Sequence, residues 1–294
     1  MALRAATRGS ALARWQTDLV LSLLGSGLGE ALVVETTGDR RTDVPIHAIG
    51  GQGVFVKEVQ AAVLEGRADI AVHSAKDLTS TPTDGLVIAA FPERGDPRDA
   101  LVGSTLAGLR AGALVATGSV RRRAQLAWLR PDLVFTDLRG NIDTRLEKAS
   151  DYDAVVMAAA ALRRLDRWDR VDEVLDPSVL LPQVAQGALA VECRADDTET
   201  IEMLAAIDHA PTRLAVTAER AFLAELGGGC DLPVGAYAVI GEDGVTVTLT
   251  GMVASLDGSI VMRETRTAGG DPAALGREVA RYLLDDAAGA EVLS

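Results

Sequence analysis

The stretch Ile70-Ala71-Val72-His73-Ser74-Ala75-Lys76-Asp77 decides how the chain is read. A short apolar run of the kind that makes a buried strand ends abruptly in a hydroxyl, an ammonium and a carboxylate. In open α/β sheets ligands lie just beyond the carboxyl ends of strands, so polar side chains there are placed for chemistry. A solvated Lys-Asp pair in a strand-end turn accounts for this segment alone equally well. The surrounding chain has to decide.

Upstream, Leu3-Arg4-Ala5-Ala6-Thr7 is strand-like, Ser10 is placed as an N-cap, and 11–24 reads as a helix stopped by Gly25. Leu12, Trp15, Leu19 and Leu23 follow the helical period and are expected to face a core. Arg8 and Ser10 then lie in a strand-to-helix loop, where first-turn amides favour anions. Residues 32–36 read as a second strand, 38–53 as a long mobile loop, and 54–64 as a helix ending at Gly66. With the quoted strand next, the order is βαβα, which predicts a parallel sheet covered by helices.

Downstream, Glu93-Arg94-Gly95-Asp96-Pro97-Arg98-Asp99 is a charged, proline-containing break and the first domain boundary. A second α/β pattern follows, with strands at 114–116, 133–135 and 154–157 and helices at 120–129, 142–148 and up to Leu165. Ser119 and Asn141 cap the first two of these helices. Residues 189–193 read as a strand, and 200–207 and 213–226 as helices separated by Pro211. Beyond Gly227-Gly228-Gly229-Cys230 the period changes. Val245, Val247 and Leu249 alternate with threonines, as in a half-exposed antiparallel strand; 259–265 is its expected partner and 271–285 a closing helix.

At 294 residues, two or three domains are expected. Hydrophobic residues make up 48% and aromatics only 3%, so the core must come from Ala, Val and Leu. The net charge of −13 argues against nucleic acid or an anionic membrane as partner, since both need a basic surface. Several arginines nevertheless gather at loop and helix starts, and a locally basic site in an acidic protein suits a small anionic ligand. Cys193 and Cys230 make no disulfide framework, and His47, His73 and His209 are too scattered for metal-ligand spacing. Neither a signal-peptide series nor an apolar run long enough for a bilayer occurs. A cytoplasmic protein without a metal is expected.

Thr117-Gly118-Ser119-Val120-Arg121-Arg122-Arg123 is the strongest anion site in the sequence. A strand feeds a glycine turn into a helix start, offering N–H groups, two hydroxyls and guanidinium forks that match carboxylates. Arg139 and Arg145 bracket a second strand-to-helix start, and Arg164 adds a third source of charge. Any one of these arginines alone fits an ordinary helix surface; two junctions loaded with arginine favour a site. Cys230, at a glycine-rich tip, is either an accessible nucleophile or an idle thiol, and Cys193 reads as core.

Taken in order, these segments closely resemble the hydroxymethylbilane synthase (porphobilinogen deaminase) family over nearly the full length. The matching pieces are Arg4 to Gln16 with its Arg8-Gly9-Ser10-Ala11-Leu12-Ala13, Phe55-Val56-Lys57-Glu58, His73-Ser74-Ala75-Lys76-Asp77, Arg121-Arg122, and Arg139-Gly140-Asn141 with Thr144-Arg145-Leu146. Gln186-Gly187-Ala188, Ala218-Glu219-Arg220-Ala221-Phe222, Gly228-Gly229-Cys230 and Pro233-Val234-Gly235-Ala236-Tyr237 complete the series. The resemblance implies a dipyrromethane cofactor joined by a thioether to Cys230, and stepwise deaminating condensation of four porphobilinogens into a linear tetrapyrrole. It implies Asp77 as the catalytic carboxylate. Lys76, Asp77, Thr117, Ser119, Arg121, Arg122, Arg145 and Gly187 would then contact the cofactor with Cys230. Arg8, Ser10, Lys57, Arg139, Arg164 and Gln186 would contact substrate, Lys57 from within the mobile loop. The chain departs from the family pattern at Thr79 (often Pro), Gly118 (often Ser), Gln52 (often Lys) and Ala185 (usually Gly). None of these removes a group the chemistry requires.

The fold implied is two periplasmic-binding-protein-like α/β domains around a cleft, plus a small C-terminal α+β domain presenting Cys230. The expected domains are 1–96 with 189–208, then 97–188, then 209–294, the chain crossing near Pro97 and again near Gly187. Porphobilinogen is the expected partner of a monomeric protein. Two rival readings use the same residues. A non-catalytic binder of a small organic anion explains the arginines but finds no use for Asp77 or Cys230. A thiol-dependent transferase lacks an obvious histidine partner for Cys230.

Overall fold

A computed structural model describes residues 3–25, 27, 29–40, 53–228, 232–287 and 289–293. Cys230, Gln52 and most of the 38–53 loop lie outside the described residues. The chain opens with β1 (Leu3–Arg8), α1 (Ala11–Leu24), β2 (Gly29–Val34), α2 (Thr37–Arg40), α3 (Lys57–Leu64), β3 (Ile70–Ser74) and β4 (Leu86–Ala90). It continues through β5 (Asp99–Val102), β6 (Leu114–Ala116), α4 (Val120–Leu129), β7 (Val134–Thr136), α5 (Ile142–Glu147), β8 (Ala154–Ala158), α6 (Ala159–Arg164) and β9 (Glu173–Leu175). The remaining elements are β10 (Leu189–Arg194), α7 (Thr198–Ala205), α8 (Ala210–Glu225), β11 (Val234–Ile240), β12 (Val247–Ala254), β13 (Val261–Ala268), α9 (Pro272–Arg281) and α10 (Gly289–Leu293). They form two compact units, 1–95 with 188–213, and 96–187 with 214–294.

In the first unit a five-stranded sheet has the order β2-β1-β3-β10-β4. β1 runs parallel to both neighbours, with Ala5 opposite Ile70 and Ala6 opposite Ala71. The parallel sheet expected from the βαβα order holds for β2, β1 and β3, but β10 joins it antiparallel to β3 and β4. β10 enters from a distant segment rather than through a helical crossover, and a strand buried from Leu189 through Cys193 carries no period that marks its direction.

Ser10 caps α1 as expected, its Oγ accepting the Ala13 N–H at 3.3 Å. The predicted core face of α1 holds only in part: Leu19 packs against the core and Leu12 is half-buried, but two of the four residues turn outward. Trp15 and Leu23 are 37% and 50% exposed, whereas Ala13, Gln16, Thr17 and Val20 are buried. Short side chains form the seam, with Thr17 Oγ1 donating to the Ala13 carbonyl at 3.0 Å and Gln16 reaching the end of β3. One face of the sheet packs Leu3, Val20, Ile70, Val72, Leu189, Val191 and Leu204; the other packs Ala6, Val59, Val63 and Ala71 beneath α3. α3 starts at Lys57 rather than at 54, because residues 53–56 form a turn in which the Val56 and Lys57 N–H groups both reach the Gly53 carbonyl.

The second unit repeats the plan, with the order β7-β6-β8-β5-β9, β6 parallel to its neighbours and β5 antiparallel. In each sheet the antiparallel strand is the first one formed after the chain enters that unit. Both units thus follow the α/β plan expected from sequence for the first two domains. A separate antiparallel sheet, β11-β12-β13, follows. Its alternation is as read from Val247 onward: Val247 and Leu249 are buried, while Thr248 and Thr250 pair with Thr267 and Thr265 at 2.9 Å; Val245 lies before the strand and is 60% exposed. Met252 and Ala254 of this sheet pack with Ala124 of α4 and Leu181. Pro211 does not separate two helices; it lies in the first turn of α8, where a missing N–H costs nothing.

Candidate active site

In the first unit β1 and β3 are parallel neighbours, so their carboxyl ends share one edge of the sheet and bring Arg8, Ser10, Lys76 and Asp77 to it. Beyond Ser74 the chain makes one turn of 3₁₀-helix over Ala75–Asp77, with Ala75 buried and Lys76 and Asp77 half-buried. Contacts from α1 and from the residue just before β10 hold this turn. Ser74 Oγ is 2.9 Å from Gln16 Nε2, and the Ala75 N–H reaches the Ala188 carbonyl at 3.0 Å. Nearby, His73 Nε2 lies 3.1 Å from Glu192 Oε2, and that oxygen accepts from Gln60 Nε2 at 2.9 Å. The Arg8 guanidinium stacks 4.2 Å from the centroid of the Phe55 ring. Lys57 is the first residue of α3. Glu58, next to it, accepts both the Thr37 N–H (2.9 Å) and its hydroxyl (2.6 Å).

In the second unit Thr117, buried, follows β6, and Ser119 caps α4 with its Oγ accepting the Arg122 N–H at 3.4 Å. Arg121 and Arg122 turn inward rather than toward solvent. Both meet Asp99, which is wholly buried at the start of β5. Arg121 Nη2 donates to Asp99 Oδ2 at 2.8 Å and its Nη1 to the Leu181 carbonyl at 2.6 Å. Arg122 donates to Asp99 Oδ1 through Nε (3.0 Å) and Nη2 (2.6 Å), and to the Val156 carbonyl at 3.0 Å. Gln186 Nε2 donates to Asp99 Oδ1 at 2.9 Å and to the Pro97 carbonyl at 2.8 Å. Burial alone would raise the Asp99 carboxyl, but the two guanidiniums and the bonds from Arg122 and Gln186 hold it well below the usual carboxylate range. Desolvation lowers the pKa of Arg121, against the opposing pull of Asp99.

Gly187 offers its carbonyl to Arg164 Nη2 at 2.6 Å, and burial pushes the Arg164 guanidinium down to about 10. Arg145 donates through Nε to the Gly140 carbonyl at 2.9 Å. Arg139 carries a buried Nη1 that has no hydrogen-bond partner among the described residues. The unit thus ties Arg121, Arg122 and Gln186 together through Asp99, and Arg164 to Gly187. Arg139 and Arg145 flank the start of α5 instead.

Sequence reasoning missed Asp99, which it placed in a charged break. The available signal was an aspartate opening the apolar run Ala100-Leu101-Val102, where a carboxylate can be buried only with cations beside it. Among the described residues no cluster of His, Cys, Asp and Glu is placed to hold a metal, and no helix is long and apolar enough to cross a membrane.

Two family models match the chain. "Porphobilinogen deaminase, dipyromethane cofactor binding domain" covers residues 3–202, and "Porphobilinogen deaminase, C-terminal domain" covers 213–285. A porphobilinogen deaminase of Brevibacillus brevis is 48% identical across 98% of this chain and 96% of its own. One from Roseiflexus sp. is 49% identical across 95% and 94%, and one from Acidothermus cellulolyticus 48% identical across 96% and 88%. Among solved structures, a Salmonella typhimurium periplasmic binding protein of high arginine specificity aligns over 70% of this chain and 91% of its own, at 13% identity and a TM-score of 0.39. Matched by both models and by relatives near half identity over almost its whole length, the chain belongs to the porphobilinogen deaminase family.

Proposed function

We propose that this chain is a transferase that releases ammonia from porphobilinogen and links four of the resulting units into linear hydroxymethylbilane, with Asp77 as the catalytic carboxylate. The observation that carries the assignment is the Lys76-Asp77 turn, anchored at the carboxyl end of β3 beside Arg8 and left half-open. Loss of ammonia leaves a cationic azafulvene, and an ionised carboxylate beside the pyrrole N–H stabilises that developing charge. The same carboxylate moves protons to the leaving amine and from the new ring, a role worth ~10²–10⁴-fold.

The family's dipyrromethane, when bound, supplies a covalently tethered primer bearing acetate and propionate groups. We assign its thioether to Cys230. The unpartnered Nη1 of Arg139 and the desolvated Arg164 fit acceptors of that kind, since a buried guanidinium donor is costly until a carboxylate meets it. Thr117, Ser119, Arg145, Gly187 and Lys76 complete the cofactor contacts, with Arg121 and Arg122 forming a wall held by Asp99. Arg8, Ser10, Lys57, Arg139 and Arg164 take the substrate carboxylates; Gln186, expected among them, is wholly buried with its amide on Asp99 and the Pro97 carbonyl and supports them instead. We further propose a cytoplasmic monomer of three domains, 1–96 with 189–208, 97–188 and 209–294; the separate β11-β12-β13 sheet supports the third.

Incubation with porphobilinogen is expected to yield a linear tetrapyrrole and one ammonia per porphobilinogen consumed. Binding of porphobilinogen with no ammonia released would overturn the assignment and favour an anion-binding protein.

A further inference from the structure

Glu219 lies in α8 with no exposed surface. Its Oε2 accepts the Ala185 N–H at 2.6 Å, and its Oε1 accepts the Ala238 N–H of β11 at 2.9 Å. Ala185 is the third residue of a tight turn closed by the Gln186 N–H on the Gln183 carbonyl at 2.9 Å, and its φ is +59°. Glycine adopts that left-handed conformation freely, and alanine only against steric resistance. The next two residues make the contacts that matter: Gln186 reaches Asp99, and Gly187 receives Arg164. β11 lies against the same segment, with the Ala236 N–H on the Pro182 carbonyl at 3.1 Å. A Cβ on Gly235 would stand 2.8 Å from that carbonyl oxygen, so the strand and the turn have no slack between them.

We propose that Glu219 is a positioning residue that holds Ala185 in its strained conformation and thereby fixes where Gln186 and the Gly187 carbonyl meet Asp99 and Arg164. The inference rests on the reading of Arg164 as a porphobilinogen contact, and it requires no contact between Glu219 and substrate. A carboxylate is needed because it accepts from two backbone N–H groups at once; an amide would turn its own N–H₂ toward one of them.

The test uses cofactor-loaded enzyme. Glu219→Gln should raise the KM for porphobilinogen about tenfold, as expected for the loss of one charge-assisted contact, while kcat falls less than about threefold. Adding Ala185→Gly to Glu219→Gln should recover most of the KM, because glycine holds the turn without a clamp. A role confined to overall stability predicts no such rescue. Independently of activity, hydrogen exchange at the Gln186 amide should quicken at least about tenfold in Glu219→Gln and slow again in the double variant. Unchanged KM and unchanged Gln186 exchange in Glu219→Gln would overturn the proposal, as would a double variant no better than the single. If Glu219→Gln does not fold, Glu219→Asp, one methylene shorter, gives the same comparison with the same refuting result. Failure of the wild-type protein to release ammonia would sink the functional assignment instead, and would leave the exchange result standing.

Discussion

Replacing Asp99 with asparagine removes a negative charge from a site where two guanidiniums depend on it. Asp99 has no exposed surface, and Arg121 and Arg122 retain only 3% and 6%. Its carboxylate receives Arg121 Nη2 at 2.8 Å, Arg122 Nε and Nη2 at 3.0 and 2.6 Å, and Gln186 Nε2 at 2.9 Å. Asparagine keeps one acceptor oxygen and turns an N–H₂ toward donors already crowded there. Removing one partner of a buried ion pair costs about 3–5 kcal/mol, a large share of the ~5–15 kcal/mol that holds a domain folded. In urea unfolding, with m near 1–3 kcal/mol/M, the midpoint should fall by more than about 1 M. The loss should also depend on pH. Folded Asp99 has a pKa below its ordinary 3.8, so the unfolded chain binds more protons on acidification. The stabilisation is complete above that ordinary value and is lost as pH falls through the lower folded one. The gap between wild type and Asp99→Asn should therefore be flat from about pH 5 to 8 and shrink below about pH 4. A loss under about 1 kcal/mol at pH 7 would refute the reasoning, since it would mean that the guanidiniums find other partners.

Other consequences can be checked separately. Asp77→Ala should unfold within about 0.5 kcal/mol of wild type yet lose ~10²–10⁴-fold in turnover; near-normal ammonia release would remove Asp77 from the chemistry. Arg164→Leu deletes the bond to the Gly187 carbonyl and should raise the KM for porphobilinogen at least about tenfold, with an unchanged KM counting against the substrate contact. Burial pushes the Cys193 thiol up to about 11, so iodoacetamide at pH 8 should leave it unmodified in native protein and alkylate it after denaturation. Rapid native labelling there would show that β10 opens.

Helix starts were legible in the sequence because their chemistry is local. Ser10, Ser119 and Asn141 each accept an N–H only three residues ahead. The strand end at Lys76-Asp77 was legible for the same reason, an apolar run stopping at charge. Features set by distant partners were not. β5 and β10 each pair within sheets whose other strands lie far away along the chain, and nothing in Leu189-Ala190-Val191-Glu192-Cys193 marks an antiparallel course. The large residues of α1 suggested the buried face, but Trp15 and Leu23 turn outward while Gln16 and Thr17 are buried, where Gln16 meets Ser74. Of the site, the arginines were visible and their anchor Asp99 was not, because charge in sequence does not announce burial. Ala185 shows the same limit, since its left-handed backbone is held from Glu219, far along the chain.

The central claim is that Asp77 acts on pyrrole units assembled on a primer tethered at Cys230. Its most direct test is the mass of the intact, denatured protein before and after exposure to porphobilinogen. The expected wild-type mass exceeds that of the sequence by two linked pyrroles and grows by further units with substrate; Cys230→Ser lacks the excess, and Asp77→Ala keeps it without growth. A protein of bare sequence mass that consumed porphobilinogen at full rate would contradict the account.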